Sequence, residues 1–327
     1  MAQPVARKVV VDVPHRISGF FKIVDHTLPL DYGLDDLLSI GSRGGGPCLS
    51  ECGVTAIEID EHGESGSVKI FINGEDCADG AKTTRSVLKW MAGEAVNDIA
   101  ITIKHDFPML MGAGYGSSGS GALGTAIALN VLLDMGLSLN DCGKFAHCAE
   151  VENKTGLGTI GGQVRGGCTI SIAPGFPFTM ETIILPPGIK IACATRGGLS
   201  TAQMLSDPDI RTSIIASGKT AMASIVEHFT IEHFTRIAID FVNSTWMQFL
   251  EQLDLGAVKN VMDAVNSDLP EGILGASMNQ MGKSVYCIYR ASTDAEEYID
   301  HVFVDNGFDE VKFLDFNTCG PSIRRIE

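Results

Sequence analysis

Apolar and polar residues alternate through much of the first hundred positions, and a period of two predicts strands. "RKVVVDV" and "AIEIDE" read as strands, "GSVKIFING" as a strand ending in a turn, and "DIAITIKH" as a half-buried strand. A helical pattern over "TTRSVLKWMAGEA" interrupts them. The stretch Met109–Gly136, "MLMGAGYGSSGSGALGTAIALNVLLDMG", begins as loop and turns into an apolar helix over Ala122–Met135. A second helix is predicted over Leu139–Thr155, with Asn140 and Asp141 as caps. "GGCTISIAPG" returns to strand, and "IILPPGIKIACATRG" predicts a strand pair about the Pro186–Pro187–Gly188 turn. From Ser200 to about Leu269 apolar residues recur three and four apart, as in helices. "GASMNQMGKSVYCIYRA" then reads as a helix end or loop before a strand, "AEEYIDHVFVDNG" as a helix, and "EVKFLDFNT" as a last strand. The pattern is α+β in two lobes, 1–190 and 191–327, with no linker-like segment between them.

Composition narrows the function classes. A chain of 327 residues with 45% hydrophobic content can bury a large core. Its 40 acidic against 24 basic residues give a net charge of −16. Sequence-independent binding to nucleic acid or an anionic membrane needs the opposite sign, so neither partner is expected. No apolar run approaches the length of a membrane span and no secretory signal is visible, so a cytoplasmic location is expected. The nine cysteines are scattered without a C-x-x-C pair and read as buried, reduced, small hydrophobic residues.

The glycine-rich loop before the apolar helix needs a physical reason, because glycine costs about 0.5–1 kcal/mol against alanine in a regular element. Consecutive backbone N–H groups at a helix N-terminus form an anion cradle. Serine hydroxyls beside them suit phosphate oxygens or Mg²⁺. The P-loop pattern G-x-x-x-x-G-K-[ST] is absent, and Ser117 occupies the third glycine position of a dinucleotide fingerprint. Close helix packing alone is the other reading of the loop.

Pro108 followed by "GAGYGSSGSGALG" resembles the central phosphate-wrapping motif of the GHMP small-molecule kinases. "VPHRISGFFKI" (Val13–Ile23) resembles their first motif, and "GASMNQMGKSVYCIY" (Gly275–Tyr289) stands where a degenerate third belongs. "RISGFF", "GSRGGG" (Gly41–Gly46), the central loop and "AHCAEVENKTGLG" (Ala146–Gly158) together look like the archaeal pantoate kinase branch. The resemblance implies a two-lobed fold, with a ribosomal-protein-S5-like N-terminal lobe and a ferredoxin-like C-terminal lobe. It implies phosphoryl transfer from ATP, with Mg²⁺, to a hydroxyl of a small carboxylate; a homodimer is allowed for. ATP phosphates would lie on Gly112, Gly114, Gly116, Ser117, Ser118, Gly119 and Ser120. Ser118 and Glu150 would hold Mg²⁺, and Lys22 would stand by the transferred phosphate. Acceptor contacts would come from Arg16, Ser18, Ser42, Arg43, His147, Thr159, Arg165 and Arg196.

Two departures bear on the acceptor. The pantoate kinase pattern E-V-E-N-x-T-G-L-G-D ends in a candidate base, where this chain has Thr159. A strand arginine suited to pantoate's carboxylate is replaced near Ser171. Loss of a negative charge suits an acceptor that is already phosphorylated. The expected acceptor is therefore mevalonate 3-phosphate at its 5-hydroxyl, in the modified mevalonate route to isoprenoids, as in divergent members of this branch. The alternative is pantoate, in archaeal coenzyme A synthesis. A non-catalytic ligand-binding homologue and a mevalonate diphosphate-type decarboxylase are the further alternatives. Convergence of Arg16, Arg43, Arg165 and Arg196 on one pocket would favour the phosphorylated acceptor; one or two arginines there would favour pantoate.

Overall fold

The computed structural model describes residues 5–60, 62–77 and 80–327. In chain order the first lobe comprises β1 (Lys8–Arg16), β2 (Phe20–Val24), α1 (Leu34–Leu38), β3 (Gly41–Ile59), β4 (Val68–Ile72), β5 (Glu75–Asp76), α2 (Lys82–Val87), β6 (Ile101–Asp106), α3 (Ser117–Leu132), α4 (Leu139–Asn153), α5 (Thr159–Arg165), β7 (Cys168–Ser171) and β8 (Met180–Ile183). The second comprises β9 (Ile189–Gly198), α6 (Thr201–Ser206), α7 (Pro208–Ile225), α8 (Ile231–Ser244), α9 (Gly256–Asp268), β10 (Ile273–Asn279), β11 (Gly282–Arg290), α10 (Thr293–Asp305) and β12 (Val311–Leu314). A last strand, β13 (Ser322–Ile326), crosses back to pair with β1 of the first sheet.

The first sheet runs β13-β1-β3-β6-β4-β5, with β2 and β7 on the N-terminal half of the long β3 and β8 on β7. The second runs β10-β11-β9-β12. Helix α3 is buried almost all round, from Ala122 through Leu132, between the first sheet and α4. An apolar stretch without a polar face belongs in such a place. Gly124 lets it approach β3, since a Cβ there would lie 2.5 Å from Thr55 Oγ1. Among the described residues no helix is long and apolar enough to cross a membrane. All nine cysteines are free.

Several expectations need correction. Helix α3 starts at Ser117, five positions before the predicted Ala122, because left-handed Gly116 turns the loop straight into it. The cap of α4 is Ser138, not Asn140 or Asp141; Asp141 is instead the third helical residue and returns a bond to the Ser138 N–H. The predicted pair about Pro186–Gly188 splits between sheets: β8 joins β7, and β9 joins β11 and β12. "GASMNQ" is strand β10, hairpinned to β11 through Met281 at φ +67°. Residue 190, the expected lobe boundary, lies inside β9, and β13 was not foreseen.

Candidate active site

Between β6 and α3 the glycine-rich turn holds Gly112, Gly114 and Gly116 at φ +76°, +90° and +67°. Gly114 has a second constraint: a Cβ would lie 2.2 Å from the Gln280 carbonyl oxygen. The second lobe is therefore clamped against the turn. Asn279 Nδ2 and Ser284 Oγ both donate to the Ala113 carbonyl, at 3.3 and 2.9 Å. Asn279 Oδ1 accepts from the Ser18 N–H, and Gln280 Nε2 donates to the Gly19 carbonyl. Trp246 Nε1 donates to Gln280 Oε1. These bonds hold the loop conformation against the entropy that glycine brings.

A cavity of about 520 Å³ opens beside this turn, a size that suits a small-molecule site. Gly112, Gly114, Gly116, Ser117 and Ser118 line it. Gly119 does not; it packs on Gln163 and Glu150. Ser120 is buried behind the loop and donates to the Val13 carbonyl at 3.0 Å. Ser117 Oγ is buried without a partner, an orphan of the kind that a ligand oxygen satisfies.

Glu150 is buried on α4 directly behind the loop. Burial pushes its carboxyl up, while bonds from the Thr155 and Ser118 hydroxyls oppose the shift. The Thr155 bond measures 2.6 Å. No cluster of three His, Cys, Asp or Glu that could hold a metal occurs among the described residues. One carboxylate with a serine hydroxyl beside a phosphate cradle fits Mg²⁺, which takes few protein ligands and leans on phosphate oxygens.

One end of the cavity carries His105, Phe107, Ile72, Cys77, Thr83 and Thr84. His105 is clasped by the Thr55 and Thr84 hydroxyls at 2.9 and 3.0 Å and stacks on Phe107 at 5.7 Å. Burial lowers its pKa from 6.5 to about 4, so the ring is neutral near pH 7. Nothing in the sequence marked these residues, because His105 sits in an ordinary alternating strand.

The remaining wall is made by Arg16, Ser18, Ser42, Gly158 and Thr159. Arg16 ends β1, and its backbone N–H bonds the Tyr115 carbonyl of the glycine turn. Its guanidinium donates to the Gly158 carbonyl and to the Thr169 carbonyl and hydroxyl, at 2.9, 3.0 and 3.2 Å. Thr159 opens α5 against Gly116, where a Cβ would lie 2.6 Å from its Cγ2. Buried Gln163 ties the same corner together by donating to the Pro14 and Gly116 carbonyls.

Several residues expected at the site stand elsewhere. Lys22 and Arg43 face each other across β2 and β3, one position out of phase with Phe21 and Ser42. Phe21 and Ser42 line the cavity and the two cations do not; the backbone and Cβ of Lys22 pack against Gly218 of α7. Arg165 and Arg196 are exposed, at the end of α5 and on β9, and neither lines the cavity. His147 is buried against Phe178 and donates through Nε2 to the Ile40 carbonyl at 2.9 Å. Burial lowers it to about 4, and it does not line the cavity. Of the four arginines, Arg16 alone lines the cavity.

A backbone anion cradle, a buried carboxylate behind it and a small polar wall beside it suit a small-molecule phosphotransferase. The family model for the GHMP kinases N terminal domain matches residues 81–164, spanning the cradle and Glu150. Pantoate kinase from Methanospirillum hungatei is 30% identical over 325 residues, covering 97% of this chain and 96% of its own. A solved phosphotransferase related to the coenzyme A biosynthesis pathway shares the fold at TM-score 0.78 and 24% identity, covering 97% of this chain and 99% of its own. Mevalonate-3-kinase from Thermoplasma acidophilum with mevalonate bound shares it at TM-score 0.68 and 17% identity, covering 99% and 100%. The chain is a GHMP kinase, a phosphotransferase that acts on a hydroxyl group. Within that superfamily it belongs to the pantoate kinase-like branch.

Proposed function

We propose that the chain transfers the γ-phosphoryl group of ATP to a hydroxyl of pantoate. This replaces mevalonate 3-phosphate, the acceptor expected from the missing aspartate and strand arginine. The observation that supports pantoate is the acceptor wall: one arginine lines it, whereas an acceptor with both phosphate and carboxylate calls for several cations. The similarity to pantoate kinases over nearly the whole chain points the same way.

In this reading the backbone N–H groups of Gly112–Gly116 and the start of α3 bind the triphosphate, and Ser117 Oγ gains its missing partner. Glu150 and Ser118 would hold Mg²⁺, which would supply charge neutralisation on the phosphates. Ser42 and Thr159 orient the acceptor hydroxyl in line with the phosphoryl group. Thr159 is no base near neutral pH, but a loose phosphoryl-transfer transition state asks chiefly for alignment and charge neutralisation. Purified chain incubated with MgATP and pantoate should yield ADP and an acid heavier by one phosphoryl group on mass spectrometry. ATP consumption with mevalonate 3-phosphate and none with pantoate would reverse the assignment.

A further inference from the structure

Arg16 is a buried cation without a counter-ion. It is 3% exposed, and among the described residues no carboxylate pairs with it. All three of its side-chain acceptors are neutral oxygens, and its Nε–H has no partner. The thiols beside it, Cys48 and Cys168, are both pushed up by burial, Cys48 to about 12, so no thiolate balances the charge. Arginine stays protonated even so, and a buried, unpaired charge is costly unless something compensates it. The guanidinium bridges Gly158 to Thr169, and its backbone bonds the glycine turn. It thus stands where the phosphate cradle meets the acceptor wall.

We propose that Arg16 selects an anionic acceptor: its charge is compensated by an oxyanion bound at the wall formed with Ser42 and Thr159. The oxyanion is the acceptor's carboxylate. This rests on the small-carboxylate kinase reading but not on which hydroxy acid is used. The fixed Nη donors hold the guanidinium in one orientation, so the charge is preorganised rather than recruited on binding. An uncharged isostere of the acceptor leaves Arg16 uncompensated and is rejected.

The test compares an acceptor with its carboxamide, using whichever of pantoate, mevalonate or mevalonate 3-phosphate turns over. The wild-type chain should prefer the carboxylate by about 100-fold or more in kcat/KM. Arg16→Gln should shrink that preference to within about fivefold, and Arg16→Lys should keep part of it. Arg16→Gln should raise the acceptor KM; a loss confined to kcat at unchanged KM would contradict the proposal. A merely structural arginine would lower the melting temperature and leave the preference intact, which would overturn the proposal. If Arg16→Gln fails to fold, a wild-type chain that accepts the carboxamide equally well overturns it too. Should none of the three acids turn over, the small-carboxylate reading fails, and the charge is read separately with inorganic phosphate as an oxyanion probe. With MgADP present, phosphate should raise the wild-type melting temperature by several degrees and that of Arg16→Lys by less. No rise in the wild type contradicts the proposal.

Discussion

The proposed donor and acceptor sides of the cavity are built by different means. On the donor side the contacts are backbone: positive-φ glycines, the first turn of α3, and carbonyls pinned by Asn279, Gln280 and Ser284. On the acceptor side they are a few side chains on separate elements: Arg16 from β1, Ser42 from β3 and Thr159 from α5. A backbone cradle fits any nucleoside triphosphate and tolerates few changes. A wall of single side chains can change its substrate by one or two replacements. That difference explains why the family was readable from the loop while the acceptor was not.

The largest effect that tests this contrast is expected from Glu150→Gln. Its kcat should fall by about 10²–10³ for every acceptor, with acceptor KM unchanged, since the carboxylate serves the donor side. A change confined to one acceptor would erase the distinction between the two sides. Gly114→Ala combines a left-handed backbone with a Cβ 2.2 Å from the Gln280 carbonyl. It should raise the KM for MgATP at least about tenfold and cost about 1–3 kcal/mol of stability in thermal melts.

Acid reaches both sides. His15, His105 and His147 are all lowered from 6.5 to about 4 by burial. The unfolded chain takes up their protons first as pH falls, so folding stability should drop from about pH 6.5 toward 4 and be flat in these groups above it. Melting temperatures across that range check the sign. The smallest effect is expected far from the cavity. Ser138→Ala removes the cap of α4 and should cost about 1 kcal/mol, with kinetic constants unchanged.

Much of the fold was legible because period and burial agree. β1 and β6 alternate, α3 is largely apolar from Ala122 to Leu132, and the glycine turn marks its own strain. What was not legible depends on phase and convergence. Arg43 stands next to Ser42 in the same motif segment, yet Ser42 lines the cavity and Arg43 does not. Arg165 and Arg196 stand beside motif segments in sequence yet end exposed on α5 and β9. His147 shares a helix with Glu150, but its ring is taken by the Ile40 carbonyl. The clamp of Asn279 and Gln280 on the cradle joins positions more than 160 residues apart, for which a single chain carries no local signal.

One arginine at the cavity wall suits an acceptor with one anionic group. A competition assay tests it most directly: equal concentrations of pantoate and mevalonate 3-phosphate with limiting MgATP, products resolved by mass spectrometry. Phosphopantoate should exceed the doubly phosphorylated mevalonate by about 100-fold or more. The reverse ratio would contradict the account.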